Sequence, residues 1–288
     1  MRKLTSPKVL KELLKEYEFR FSKSLGQNFL IDDNALLSIT DAADICENDG
    51  VLEIGPGFGT LTQALCEKAG KVVSVEIDKT VIPVLEDNLS EFSNFKVINE
   101  DVMKIDLKKL IETEFNGYNV KVAANLPYYI TTPIIMMLLE SGLNFESIVI
   151  MVQKEVAERL CAKEGTKDFG AISLSVDYHS KAQIITNVPP SSFMPPPKVT
   201  SSVVKLTLRK EKKVNPKDEK LFFSIIKGAF LQRRKTLLNA LSNFGIAPKD
   251  KLLTAFKNAD IDEKRRGETL SIKEFCSLSD EIAKFTKN

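Results

Sequence analysis

The chain has one histidine, His179, and no tryptophan. A lone imidazole cannot build a histidine-rich metal site, and it points away from metal-assisted hydrolysis and serine–histidine relays. Its four cysteines, Cys46, Cys66, Cys161 and Cys276, include no C-x-x-C pair. That spacing suggests neither a zinc site nor a disulfide framework, and the thiols are expected to be reduced and structural. No apolar run approaches the ~18 residues of a membrane helix. The N-terminal "MRKLTSPKVLKELLKEYEFRF" breaks every apolar cluster with charge, so it lacks a signal-peptide core. These absences predict a cytoplasmic protein without a metal or a membrane partner.

What is present is a globular composition, 43% hydrophobic and 28% charged, ample for a sizeable core. Net charge is only +2, but its distribution is uneven. Residues 209–288 carry 19 basic and 11 acidic side chains, and residues 1–30 carry 7 and 3. Residues 31–208 carry 15 and 25. An acidic middle with basic ends suits ends that meet a polyanion, although solvated helix faces would give the same counts.

Apolar spacing predicts a helix over 7–20 and another over 34–46, capped by Asp32 or Asp33. From Val51 the chain alternates between short apolar runs and helical patterns: "GVLEIG", "TLTQALCEKA", "KVVSVEID", "TVIPVLEDNLSEF", "FKVINED", "NVKVAANLPYY", "PIIMMLLESG", "FESIVIMVQ" and "KEVAERLCAK". Such alternation predicts an α/β fold, a doubly wound and mostly parallel sheet with its ligand at the carboxyl ends of the strands. After residue 170, "AQIITNV" and "SSVVKLTLRK" flank a proline-rich loop and predict an antiparallel edge hairpin. Only helical patterns follow, at 218–232, 234–243, 248–257 and 271–285. The expected domains are 1–210, with a helical extension over 1–30, and an all-α domain over 211–288.

Four motifs carry chemistry. "LEIGPGFGTLT" (52–62) sets Gly55, Gly57 and Gly59 between a strand and a helix, where glycine permits close approach of a ligand to the backbone. G-x-G-x-G after an acidic residue, Glu53, is similar to motif I of class I S-adenosylmethionine-dependent methyltransferases. Glu76 ends the next strand in "VEID", where a carboxylate can accept both hydroxyls of a ribose. Asp101, in "NEDVM", ends the third strand and suits an adenine amino group.

The fourth motif is "NLPYYITTP" (125–133), at a strand end. An exocyclic base amine is a poor nucleophile because its lone pair is delocalised into the ring. Acceptors on its two hydrogens, the Asn125 side-chain oxygen and the Leu126 carbonyl, favour pyramidalisation. Pro127 lacks an N–H and fixes the turn, and Tyr128 offers a face for an extruded base. The local alternative is a strand-end turn with packed tyrosines.

"GQNFL" (26–30), "EIGPGFGTLT", "EID", "NED" and "NLPYYITTP", in this order, resemble the rRNA adenine N(6)-dimethyltransferase family. "FGAISL" (169–174), "VPPSSFMPPPKVTSSVVKL" (188–206), "AFLQRRKTLLNAL" (229–241) and "RRGETLS" (265–271) match its small-subunit branch. The likeness spans about residues 20–280. It implies a Rossmann-like catalytic domain with a seven-stranded sheet and a C-terminal rRNA-binding domain. It also implies cofactor contacts from Asn28, Leu30, Gly55, Gly57, Glu76, Asp101 and Asn125. In the family's terms Tyr128 stacks on the target adenine and Phe193 covers its other face. Tyr129 departs from the pattern, since many relatives have Asn there, and so does Thr131-Thr132, where Ser-Thr is frequent.

The implied activity is S-adenosylmethionine-dependent dimethylation of two adjacent adenines in the 3′-terminal hairpin loop of small-subunit (16S) rRNA, by a monomer acting on the assembling subunit. Arg233, Arg234 and Lys235, read as the start of a helix, are candidate RNA contacts. "KRRGE" (264–268) is a second candidate, unless Arg266 braces the helices. The rivals are an Erm-type enzyme acting on large-subunit rRNA and a non-catalytic assembly or transcription factor on the same fold.

Overall fold

A computed structural model describes residues 2–22 and 26–286. The chain begins with α1 (Pro7–Glu16), β1 (Phe29–Leu30) and α2 (Asp33–Ala43). A βα alternation follows: β2 (Asp49–Ile54), α3 (Thr60–Cys66), β3 (Lys71–Glu76), α4 (Ile82–Asn88), β4 (Phe95–Asn99), α5 (Leu107–Glu114), β5 (Asn119–Asn125), α6 (Thr131–Glu140), β6 (Ser147–Gln153) and α7 (Lys154–Leu160). Then come α8 (Ala171–His179), β7 (Ser180–Val188), β8 (Phe193–Met194) and β9 (Ser201–Leu208). Four helices close the chain: α9 (Glu219–Leu231), α10 (Leu237–Phe244), α11 (Lys249–Asn258) and α12 (Ile272–Thr286).

The main sheet has seven strands in the order β4-β3-β2-β5-β6-β9-β7. From β4 through β6 all neighbours are parallel, and β9 runs antiparallel to β6. Burial follows position. Every residue of β2 is buried, as a strand covered on both faces requires, whereas edge strand β7 alternates between exposed and half-buried residues along most of its length. The chain runs outward from β2 to β4, then returns to β5 on the other side of β2. That reversal opens a crevice at the carboxyl ends of β2 and β5.

Contacts divide the chain into two compact units, Met1–Ala157 with Lys181–Leu208, and Glu158–Ser180 with Arg209–Asn288. The boundary expected at 210 therefore needs amending: residues 158–180 belong with the C-terminal helices. Helix α8, which the apolar spacing did not mark, packs on α9 and α12. Its Leu174 and Tyr178 share a core with Phe222, Ile225, Phe256 and Phe275. His179 lies in this unit against the rings of Tyr178 and Phe223, and burial lowers its basicity.

Local differences from the sequence reading have local causes. Helix α1 stops at Glu16 because Glu18 takes a left-handed conformation (φ 47°). Helix α2 is capped by Asp32, whose carboxylate accepts the N–H groups of Asn34 and Ala35. Helix α10 starts at Leu237, capped by the Thr236 hydroxyl, so Gln232–Lys235 form a turn rather than a helix start. The two-residue strands β1 and β8, too short to leave a periodic signal, pair with each other.

One buried ion pair ties the first unit together. Lys121 Nζ on β5 lies 2.9 Å from Asp49 Oδ2 on β2, with 5% and 1% of their side chains exposed. Removing one partner of such a pair strands the other charge. Asp49→Ala is expected to cost about 3–5 kcal/mol of stability by urea unfolding; a loss below about 1 kcal/mol would show that the ammonium finds another partner.

Candidate active site

Parallel strands deliver their last residues to one edge of the sheet, and in β3, β4 and β5 those residues are polar. Glu76 closes β3 and Asn125 closes β5, while the glycine loop leaves β2 and Asp101 follows β4. They surround a cavity of about 260 Å³. Asn28, Leu30, Gly55, Gly57, Glu76, Asp101, Asn125, Leu126, Pro127 and Tyr128 all line it, so the structure brings together all but one of the residues expected at the cofactor and base sites.

The backbone turn after β2 needs glycine. Gly55 and Gly57 have φ of +71° and +57°, and a Cβ on Gly57 would meet the Phe29 ring at 2.9 Å. Glu76 is 7% exposed, and each of its carboxylate oxygens accepts one backbone N–H: Gly57 at 3.3 Å and Asp78 at 2.9 Å. Burial raises its pKa, and the Asp78 charge adds to the rise. Each oxygen retains a lone pair for a further donor. Asn99 Nδ2 and the Glu100 N–H both donate to the Glu76 carbonyl, which fixes the end of β4, and hence Asp101, beside β3.

Glu53, on β2 behind the glycine loop, is 1% exposed. It accepts the Thr62 and Ser74 hydroxyls at 2.7 Å each. Burial pushes its pKa up to about 7, and the neighbouring Glu76 charge acts in the same direction. Two buried carboxyls on one cavity leave it short of positive charge. A cationic ligand carrying hydroxyls, such as the sulfonium nucleoside S-adenosylmethionine, matches that donor set.

At the end of β5, Asn125 Nδ2 donates to the Asn28 carbonyl at 3.4 Å, which leaves Oδ1 to accept. The Ile130 N–H and the Thr131 hydroxyl both go to the Pro127 carbonyl, not to that of Leu126. Tyr128 is half-buried, with its hydroxyl 2.7 Å from Ser201 Oγ on β9. Tyr129 is 54% exposed at the cavity wall, where a Cβ on Gly26 would sit 3.9 Å from its ring.

Phe193 is the exception. It is 3% exposed, pairs with Leu30 across the β1–β8 ladder, and packs with Leu36, Val188 and Val203. The structure thus makes it a core residue and not a wall of the cavity, because its strand turns the ring inward. The basic residues also separate. All three are exposed, but Arg233 donates to the carbonyls of Lys167 (2.6 Å) and Phe169 (3.2 Å). In "KRRGE" it is Arg265, paired with Glu274, that braces the helices. Sequence reasoning noted Glu53 but gave it no role, and it passed over Gln27, which lines the cavity inside "GQNFL".

Residues 18–284 match the family described as ribosomal RNA adenine dimethylase. The chain belongs to that family. It is 54% identical over 285 residues to the ribosomal RNA small subunit methyltransferase A of Alkaliphilus oremlandii, covering 99% of both chains. It is 49% identical over 282 residues to the protein of the same description from Clostridioides difficile, covering 98% of both. Among solved structures, a dimethyladenosine transferase from Plasmodium falciparum superposes with a TM-score of 0.74 at 28% identity, covering 87% of this chain and 95% of that one. The 23S rRNA methyltransferase ErmE shares the fold, with a TM-score of 0.66 at 23% identity, over 89% of this chain and 100% of that one. The chain is an S-adenosylmethionine-dependent rRNA methyltransferase, and its fold is that of the class I methyltransferases.

Glu53 gives a test of the site's electrostatics. Its folded pKa of about 7 lies above the ordinary carboxyl value, 4.5, so the unfolded chain ionises first as pH rises. Stability is therefore full below about pH 4.5 and is lost on the way to about pH 7, by roughly 3 kcal/mol. Glu53→Gln is expected to gain on the wild type across that interval in urea unfolding without ligand. A pH-independent difference would mean that the folded carboxyl titrates at its ordinary value.

Proposed function

We propose that this chain dimethylates N6 of two adjacent adenines in the 3′-terminal hairpin loop of small-subunit rRNA, within the assembling subunit and in the cytoplasm, as a monomer. The observation that carries the reading is the Asn125 amide. Its nitrogen donates to the Asn28 carbonyl, so its oxygen is left as acceptor in the cavity that Leu126 and Tyr128 also line.

When bound, S-adenosylmethionine supplies a methyl group activated by a positively charged sulfur. Glu76 would accept the ribose hydroxyls, Asp101 would take the adenine amino group, and the Gly55–Gly57 backbone would allow close approach. The target adenine, extruded from its loop, stacks on Tyr128. Asn125 Oδ1 and the Leu126 carbonyl would accept its two amino hydrogens and localise the lone pair on nitrogen, so that the methyl group passes to it as its bond to sulfur breaks and the neutral thioether, S-adenosylhomocysteine, leaves. The methylated nitrogen is an ammonium and loses its proton readily, so no strong base is needed. A second transfer on each adenine completes dimethylation, four transfers in all.

The small-subunit target is supported by about 50% identity over nearly the full chain to proteins described as small-subunit methyltransferases, against 23% to ErmE. The intact Asn125–Tyr128 tetrapeptide favours catalysis over a purely binding role. Labelled S-adenosylmethionine offered with undermethylated small and large subunits is expected to mark two adjacent small-subunit adenines. Asn125→Ala is expected to lower that labelling by about two to three orders of magnitude with RNA binding retained. Labelling of the large subunit, or a fully active variant, would overturn the reading.

Exposed Arg234 and Lys235 are proposed as phosphate contacts, with Arg233 holding the 167–169 loop. Reversing both charges, Arg234→Glu with Lys235→Glu, is expected to weaken RNA binding and reduce the salt slope by about 2. An unaltered slope would place the RNA elsewhere.

A further inference from the structure

The half-buried side chain of Gln27 forms part of the cavity wall. Its amide is engaged at both ends. Oε1 accepts the Ser22 N–H at 2.8 Å, and Nε2 donates to Asp78 Oδ2 at 2.7 Å. Asp78 donates its own N–H to Glu76 Oε1 at 2.9 Å, and its other oxygen accepts the N–H and hydroxyl of Thr80 at 3.0 and 2.6 Å. The second Glu76 oxygen accepts the Gly57 N–H. A line of hydrogen bonds thus runs from Ser22, ahead of β1, through Gln27 and Asp78 to the carboxylate at the end of β3, and on to the glycine loop. The Asn125 bond to the Asn28 carbonyl fastens the same arm to the end of β5.

The chemistry of this link narrows the residue that can make it. It must accept a backbone N–H and donate to a carboxylate at once, which a side-chain amide does and an ionised carboxylate does not. A lysine or arginine would satisfy Asp78, but it would also set a cation beside Glu76 and compete for it. A neutral amide fixes Asp78 and leaves the Glu76 charge free for a ligand.

We propose that Gln27 is a positioning residue for cofactor recognition: acting through Asp78, it holds the Glu76 carboxylate and the 26–30 arm in the arrangement that grips the ribose of S-adenosylmethionine. This rests on the reading of Glu76 as the ribose acceptor, and the experiment separates the two.

The measurement is calorimetric titration of the full chain with S-adenosylmethionine. Gln27→Glu faces one carboxylate with another and is expected to raise the Kd about tenfold, the scale of a lost charge-assisted hydrogen bond. Adding Asp78→Asn to Gln27→Glu exchanges donor and acceptor while keeping the bonds donated by Ser22 and Thr80. The double variant is expected to bind within about twofold of the wild type. A merely structural role predicts no such rescue. Affinity for rRNA is expected to be unchanged in all three proteins. A wild-type Kd for Gln27→Glu, or a double variant no tighter than the single, overturns the proposal. Gln27→Ala, which adds no charge, decides alone if the double variant does not fold: an unchanged Kd overturns the proposal, and a weakened one supports it. Glu76→Ala is the control for the underlying reading. If it leaves the Kd unchanged, the ribose assignment fails. If it weakens binding while Gln27→Glu does not, only the positioning role falls.

Discussion

Register between parallel strands is the constraint on which the rest of this protein depends. Side chains on a strand alternate between faces, so a slip of one residue would send each strand's side chains to the opposite face. In the observed register Ile54 pairs with Val75, Glu53 with Ala123 and Asn125 with Met151. That alignment ends β2, β3 and β5 at a common level. It puts the glycine loop, Glu76 and Asn125 around one cavity. The buried Lys121–Asp49 pair bridges β5 and β2 near the opposite end, where it opposes such a slip by requiring one partner for each charge.

Given that register, the site is built by spending polar groups on one another until the functional ones remain. Asn125 gives its nitrogen to the Asn28 carbonyl and keeps its oxygen. Glu76 is oriented by two backbone N–H groups and retains acceptor capacity. Tyr128 is anchored through its hydroxyl to Ser201, so its ring swings less and presents a steadier face. Glu53 lies behind them as a carboxyl of raised pKa, held by two hydroxyls and no cation. The cavity is therefore biased toward a positively charged nucleoside before any ligand arrives, and low local dielectric strengthens that bias.

Much of the sheet was legible because buried parallel strands read as short apolar runs, and "GVLEIG", "KVVSVEID" and "FESIVIMVQ" are of that kind. The glycine loop and the acidic strand ends were legible because their spacing follows from the βα unit itself. Three features escaped. Helix α8 shows no clear amphipathic stripe, since it is buried on most sides, and so residues 158–180 were assigned to the wrong unit. The β1–β8 pair is two residues long and joins Phe29 to Met194 and Leu30 to Phe193, segments far apart in the chain. The direction of the Phe193 ring was set by that pairing, which is why a residue expected at the base site proved to be core.

The opening absences mark the same division. One histidine and no paired cysteines narrowed the chemistry, and the order of four motifs named the reaction, because methyl transfer to an amine needs acceptors, a nucleoside site and a flat face rather than a strong base or a metal. Those requirements are met by residue type and order, which a linear chain records. Which carbonyl the Asn125 amide meets, that Arg233 reaches the carbonyls of Lys167 and Phe169, and that Gln27 reaches Asp78 depend on distances between segments far apart in the chain. Only folding sets those distances, and so only the tertiary structure decided them.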